Sequence, residues 1–275
     1  MKRIAAITMV RHDELFLSLW IGYYSREIGA ENLYVILDGE DLEIPDQKGV
    51  HFEKVPHRVL PVAEGDKARI NLINEKARQL LEVYDIVIGC DVDEFLVLDP
   101  KAGTSLSQYL SEKKIRVSLS GLGLDVGQNL HTEQAYQPEK NVLEQRHRAV
   151  LSTRYTKPVV KVSPAAWGAG FHRIKGHNFH IDKNLYLIHL GCFDYAYMKQ
   201  KIASSGRLKE GWEKHFNKRI RTIRYVTDLR AASERRLRTA RLLQTVFRPP
   251  YAWNKPSMFG LHWVVTLPER LKDIL

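Results

Sequence analysis

Residues 65–100, GDKARINLINEKARQLLEVYDIVIGCDVDEFLVLDP, decide the fold. In the first half Ile70, Ile73, Ala77, Leu80, Leu81 and Tyr84 recur at helical spacing and define one apolar face, and Asp66 stands where a helix cap is expected. The period then changes. Ile86 to Cys90 is a short, nearly continuous apolar run, the pattern of a strand buried on both faces. It runs directly into Asp91-Val92-Asp93-Glu94, and a second apolar run follows. A helix that feeds a buried strand ending in carboxylates is the unit of an open α/β sheet, in which ligands collect at the carboxyl ends of the strands.

Upstream the same grammar recurs. KRIAAITMV (2–10) reads as a buried strand, and residues 13–29 read as a helix with Asp13 as its cap and Gly29 ending it. NLYVILD (32–38) and HFEKV (51–55) read as further strands, the former ending at Asp38. The expected class is therefore α/β, a mostly parallel sheet flanked by helices. Downstream, IRVSLSGLGLDV (115–126) and KPVVKV (157–162) read as strands around a polar stretch, and after Leu190 the chain turns helical and strongly basic. This divides the chain into a domain over 1–200 and a basic, mainly helical C-terminal extension over 201–275 packed on it.

The net charge of +10 suits an anionic partner: nucleotide phosphates, nucleic acid or acidic lipid. No apolar run reaches the roughly eighteen residues needed to span a bilayer. The opening MKRIAAITMVRHDELF lacks the pattern of a signal peptide, and two cysteines do not make a disulfide scaffold, so a cytoplasmic location is expected.

Two aspartates at i and i+2 after a strand can face one divalent cation, and hard oxygen ligands suit Mg²⁺ or Mn²⁺. An ion held by one or two carboxylates keeps positions open for substrate phosphates and offsets charge on a leaving diphosphate. The competing reading of Asp91 and Asp93 is an acidic turn.

Val10, Arg11, Leu17 and Trp20, then LYVILDGED, Asn74 and DVDEFLVLDP, together resemble the glycosyltransferase family 2-like group, whose members carry a D-x-D-E-F segment. His12 and Asp13 stand where that family has Asn and Glu. Lys157, His172, His189 and Lys201 follow in the family's order, so the resemblance covers roughly residues 7–201. It implies a GT-A (Rossmann-like) fold, a nucleotide-sugar donor, UDP-sugar first among them, and a divalent metal on the diphosphate. It further implies Asp38 near base and ribose, Asp91 near ribose or metal, Asp93 on the metal, and His172 or His189 completing the metal shell. Arg11, Asn74 and Lys157 become candidate donor contacts.

An inverting transferase also needs a carboxylate to accept the acceptor hydroxyl's proton, for which Asp125 and Asp194 are candidates. Glu94 either binds the acceptor or holds the loop. Trp167 and Phe171 either stack on a sugar or pack. Trp212, Phe216, Ile220 and Ile223 lie at helical spacing among cations, the pattern of a helix on the inner face of an anionic membrane near a lipid-linked or glycan acceptor, or of a core stripe. The alternative class is a nucleic-acid-binding or nucleotidyl-transferring protein that uses the basic helices. No nucleic-acid motif and no Gly-rich phosphate loop before Asp91 supports it.

Overall fold

The structure is a computed structural model that describes residues 1–204 and 213–275, with side chains described outside 202–219. Its first half is built from β1 (Ile4–Val10), α1 (Glu14–Ile28), β2 (Leu33–Asp38), β3 (His51–Val55), α2 (Val62–Leu80) and β4 (Ile86–Gly89). The four strands are all parallel, in the order β3-β2-β1-β4. Period-two alternation explains how one strand serves two cores. Ile4, Ala6 and Val10 face the cluster that contains α1, while Ala5 and Ile7 face the cluster that contains α2. Helices therefore cover both faces, as a parallel sheet requires.

The helix ends differ in part from the sequence expectation. Gly29 ends α1 at φ 90°, a conformation open to glycine. Asp13 precedes α1, but its carboxylate makes no cap and instead accepts from Tyr197 Oη at 3.0 Å and from Lys201 Nζ. α2 begins before Asp66, after Pro61, and Asp66 pairs with Arg69 one turn on.

The second half corrects the expectation of a mostly parallel sheet. β5 (Glu94–Leu98), β6 (Ser118–Gly127), β7 (Arg148–Leu151), β8 (Val160–Lys161), β9 (Ile181–Cys192) and β10 (Val264–Thr266) complete a mixed sheet of ten strands among the described residues. In this half only β6 and β9 pair in parallel, and the pairs β4–β8, β6–β8, β5–β9, β6–β7 and β7–β10 are antiparallel. β6 belongs to both halves: Ser118 and Leu119 reach β8, and the rest of the strand pairs with β9 and β7.

Helices α3 (Leu106–Glu112), α4 (Val142–Gln145), α5 (Tyr195–Ser204), α6 (Glu213–Asp228) and α7 (Arg235–Val246) surround this half. Of the expected membrane stripe, the Trp212 and Phe216 side chains lie outside the described residues. Ile223 is buried against Cys192 and Met198, and Ile220 packs beside it. Leu271 and Leu275 enter the main core. Among the described residues, no helix is long and apolar enough to cross a membrane.

Candidate active site

The strand order reverses direction between β1 and β4: the chain runs outward from β1 through β2 to β3, then returns to the other side of β1. Such a switch point opens a crevice at the carboxyl ends of the strands. Arg11 follows β1, Asp38 ends β2, and Asp91 follows β4, so three expected site residues share this edge. Arg11 donates to the Asp38 carbonyl at 2.5 Å and pairs with Asp41 at 3.1 Å, while Asp38 pairs with His57 at 3.0 Å. The guanidinium passes where a Cβ on Gly39 would stand, 2.2 Å away.

Behind this edge lies a buried ionic chain. Asp91 accepts from Arg69 at 2.6 Å and from Lys157 at 2.9 Å, and Lys157 also meets Glu94 at 2.5 Å. Burial alone would raise the Asp91 carboxyl, but Lys157 and Arg69 outweigh it and hold the group well below the usual carboxylate range. Burial likewise opposes charge on Lys157, yet Asp91 and Glu94 keep its ammonium protonated. Glu94 is fully buried, and that burial pushes it up to about 7 against the pull of Lys157.

The pairing of β5, β9 and β6 creates a second group. His189 on β9 is the register partner of Glu94 on β5 and of Asp125 on β6, so three distant residues form one row across the sheet. His189 Nδ1 donates to Asp125 Oδ1 at 2.6 Å, and Nε2 faces Asp93 Oδ2 at 3.4 Å. The ring stacks on Tyr155 with centroids 3.7 Å apart. Burial disfavours the imidazolium, but Asp93 and Asp125 prevail and push His189 up to about 9. Thr222 of α6 donates to the second Asp125 oxygen at 2.6 Å, so both oxygens have protein donors.

The backbone at Gly191 passes close beside this pair. A Cβ there would come within 2.6 Å of His189 Nε2 and 3.1 Å of Asp93 Oδ2. A carboxylate oxygen and an imidazole nitrogen that face each other fit a divalent cation once it displaces the Nε2 proton, and Asp125 on Nδ1 holds the ring in place for that purpose. Among the described residues no group of three or more His, Cys, Asp or Glu side chains converges as a metal site. Among the described residues Asp93 and His189 are the donors that face each other here, and Mg²⁺ and Mn²⁺ accept phosphate and water in their other positions.

Other expected residues are engaged elsewhere. Asn74 holds the backbone of Trp167 with both ends of its amide, at 2.9 and 2.8 Å. Trp167 and Phe171 are fully buried beside α2, and Trp167 lies so close over Gly89 that a Cβ there would be 2.6 Å from the ring. Packing is their role. His172 is bonded through Nδ1 to the Arg154 carbonyl at 3.0 Å, and burial, with Lys157 and Lys255 nearby, drives it down to about 3. It stays neutral. Asp194 accepts from the backbone of Tyr136 and Tyr197, capping the start of α5, and from buried Arg146 at 3.0 Å.

Arg69, Tyr155, Thr222 and Gly191 carry no signal in the sequence that marks them for this site. Each is brought in by packing or by register. No protein-family model matches the chain, and a search of curated proteins yields no significant match.

Proposed function

We propose that the chain is a metal-dependent glycosyltransferase that moves a sugar from a nucleotide-sugar donor, a UDP-sugar first among them, to a glycan or lipid-linked acceptor with inversion. The observation that carries the reading is the Asp93–His189–Asp125 arrangement just after the strand end that bears Asp91, with the side-chain-free Gly191 backbone beside it. In this reading the fold is of the GT-A kind, and Arg11 and Asp38 at the ends of β1 and β2 meet the nucleotide. Asp93 and His189 hold Mn²⁺ or Mg²⁺, which when bound would neutralise charge gathering on the leaving diphosphate.

The remaining residues divide into positioning roles. Asp125 orients His189 and supports its Nε2 as a ligand. Arg69 and Lys157 hold Asp91 ionised at the rim, and Glu94 fixes Lys157 from behind. Asp125 and Asp194, the carboxylates expected to accept the acceptor proton, and Glu94, expected to bind the acceptor or hold the loop, each face protein donors in this structure.

The test is thermal unfolding against a panel of nucleotide sugars, with and without Mn²⁺. A rise in melting temperature that needs both nucleotide and metal is expected. A panel in which no nucleotide gives a metal-dependent shift would count against the reading.

A further inference from the structure

The segment that follows α7 is built inside out. From residue 251 to 259 the chain alternates, with Ala252, Asn254, Pro256 and Met258 buried and the aromatics Tyr251, Trp253 and Phe259 turned to solvent at 79, 60 and 66 % exposure. The inward residues pin the segment: Asn254 donates to the carbonyls of Ile174 and His177, and Met258 receives Gln244 of α7. Arg248 ties the two arms by donating to the Trp253 carbonyl at 2.9 Å and to the last carbonyls of α7, where a cation suits the helix end.

At Phe259 the segment meets the residue that ends α7. Phe259 packs edge-on against Phe247 at 4.5 Å, and Leu242 and Val246 stand exposed one helical turn apart just before it. Phe259 itself has φ 51°, followed by Gly260 at 75°. A bulky residue in the left-handed region is strained, and the fold retains it although only Phe247 covers part of its ring. Between Glu234 and Glu269 the chain carries Arg235, Arg236, Arg238, Arg241, Arg248 and Lys255 and no carboxylate.

We propose that this aromatic and aliphatic face, framed by cations, seats the protein on the interface of an anionic lipid bilayer. Aromatic rings at the headgroup level, aliphatic side chains beneath and Lys or Arg around them are what such an interface selects. A second copy of the chain fits less well, since residues 235–268, with six Lys and Arg and no carboxylate, would meet their own positive charge. Stacked nucleobases would find no use for Leu242 and Val246. The surface stands on its own observations. Only its use for presenting a lipid-linked acceptor rests on the transferase reading.

The test is flotation of the full chain with phosphatidylcholine vesicles, with and without phosphatidylglycerol, in the absence of nucleotide and metal so that the outcome is independent of the transferase reading. Binding is expected only with the anionic lipid, falling as salt rises. A Trp253→Ser, Phe259→Gly double variant should bind at least about tenfold more weakly, the scale of removing two large apolar groups. Glycine relieves the strain at 259, so its melting temperature should hold. Equal binding to neutral vesicles, no vesicle binding, or undiminished binding by the double variant would each overturn the proposal. So would single-stranded nucleic-acid binding or self-association that disappears in that variant while vesicles are ignored.

Discussion

Nδ1 of His189 lies 2.6 Å from Oδ1 of Asp125, joined across the parallel register of β9 and β6 although 64 residues separate them. The bond leaves Nε2 as the nitrogen that faces Asp93. Replacing Asp125 with Asn should therefore weaken Mn²⁺-dependent nucleoside diphosphate binding by roughly ten- to a hundredfold, the scale on which groups behind a ligand act. Asp93→Ala should abolish it. Calorimetry with and without Mn²⁺ distinguishes the two, and equal affinities for both variants and the parent would refute the metal role.

Gly191 provides the sharper steric test. Gly191→Ala places a methyl group 2.6 Å from His189 Nε2, so a metal between His189 and Asp93 is excluded while the ionic chain around Lys157 is untouched. The buried His189 ring must give way, so metal-dependent binding should be lost together with some stability. Circular dichroism and calorimetry on one sample check both halves.

Lys157 is the shared cation of two carboxylates, the half-buried Asp91 and the fully buried Glu94. Lys157→Met leaves Glu94 without its ion-pair partner and should destabilise the protein by about 3–5 kcal/mol, the cost of breaking a buried pair from one side. Arg69→Ala should cost less, because Asp91 keeps Lys157. Urea midpoints of the two variants give the comparison, and a larger loss for Arg69→Ala would reverse the assignment.

Lys161 offers a test by pH. It is fully buried, 3.3 Å from the Ala165 carbonyl and 4.0 Å over the Trp167 ring, and burial pushes its pKa from 10.5 down to about 8. Between those values the unfolded chain binds the proton that the folded chain has released, so this group's contribution to stability rises with pH through that window. Below it the fold carries a buried cation at a cost. Lys161→Met should stabilise the protein at neutral pH by about 1–3 kcal/mol, with the advantage fading toward pH 10.5. An advantage independent of pH would assign the effect to packing instead.

The amino-acid order by itself determined the elements of the first half. Short, mostly apolar runs up to Val10, Leu37 and Gly89, too short for helices, read as strands buried on two faces, and the spacing of Ile70, Ile73 and Ala77 joins them on one face of a helix. It also placed Arg11, Asp38 and Asp91 on one edge, because parallel strands linked by helices end on the same side. What it left open is what strand pairing decides. Period-two alternation fixes which face a residue takes but not the direction or register of its neighbour, and so β5–β10 departed from the parallel expectation. The same freedom set the fate of the carboxylates: register brought Asp125 to His189, while helix capping and Arg146 took Asp194. It set the fate of the apolar stripes too. A helical period marks a face without saying what covers it, so Ile223 went to the core, whereas Tyr251, Trp253 and Phe259, with no helical period at all, came to the surface because their neighbours were pinned inward.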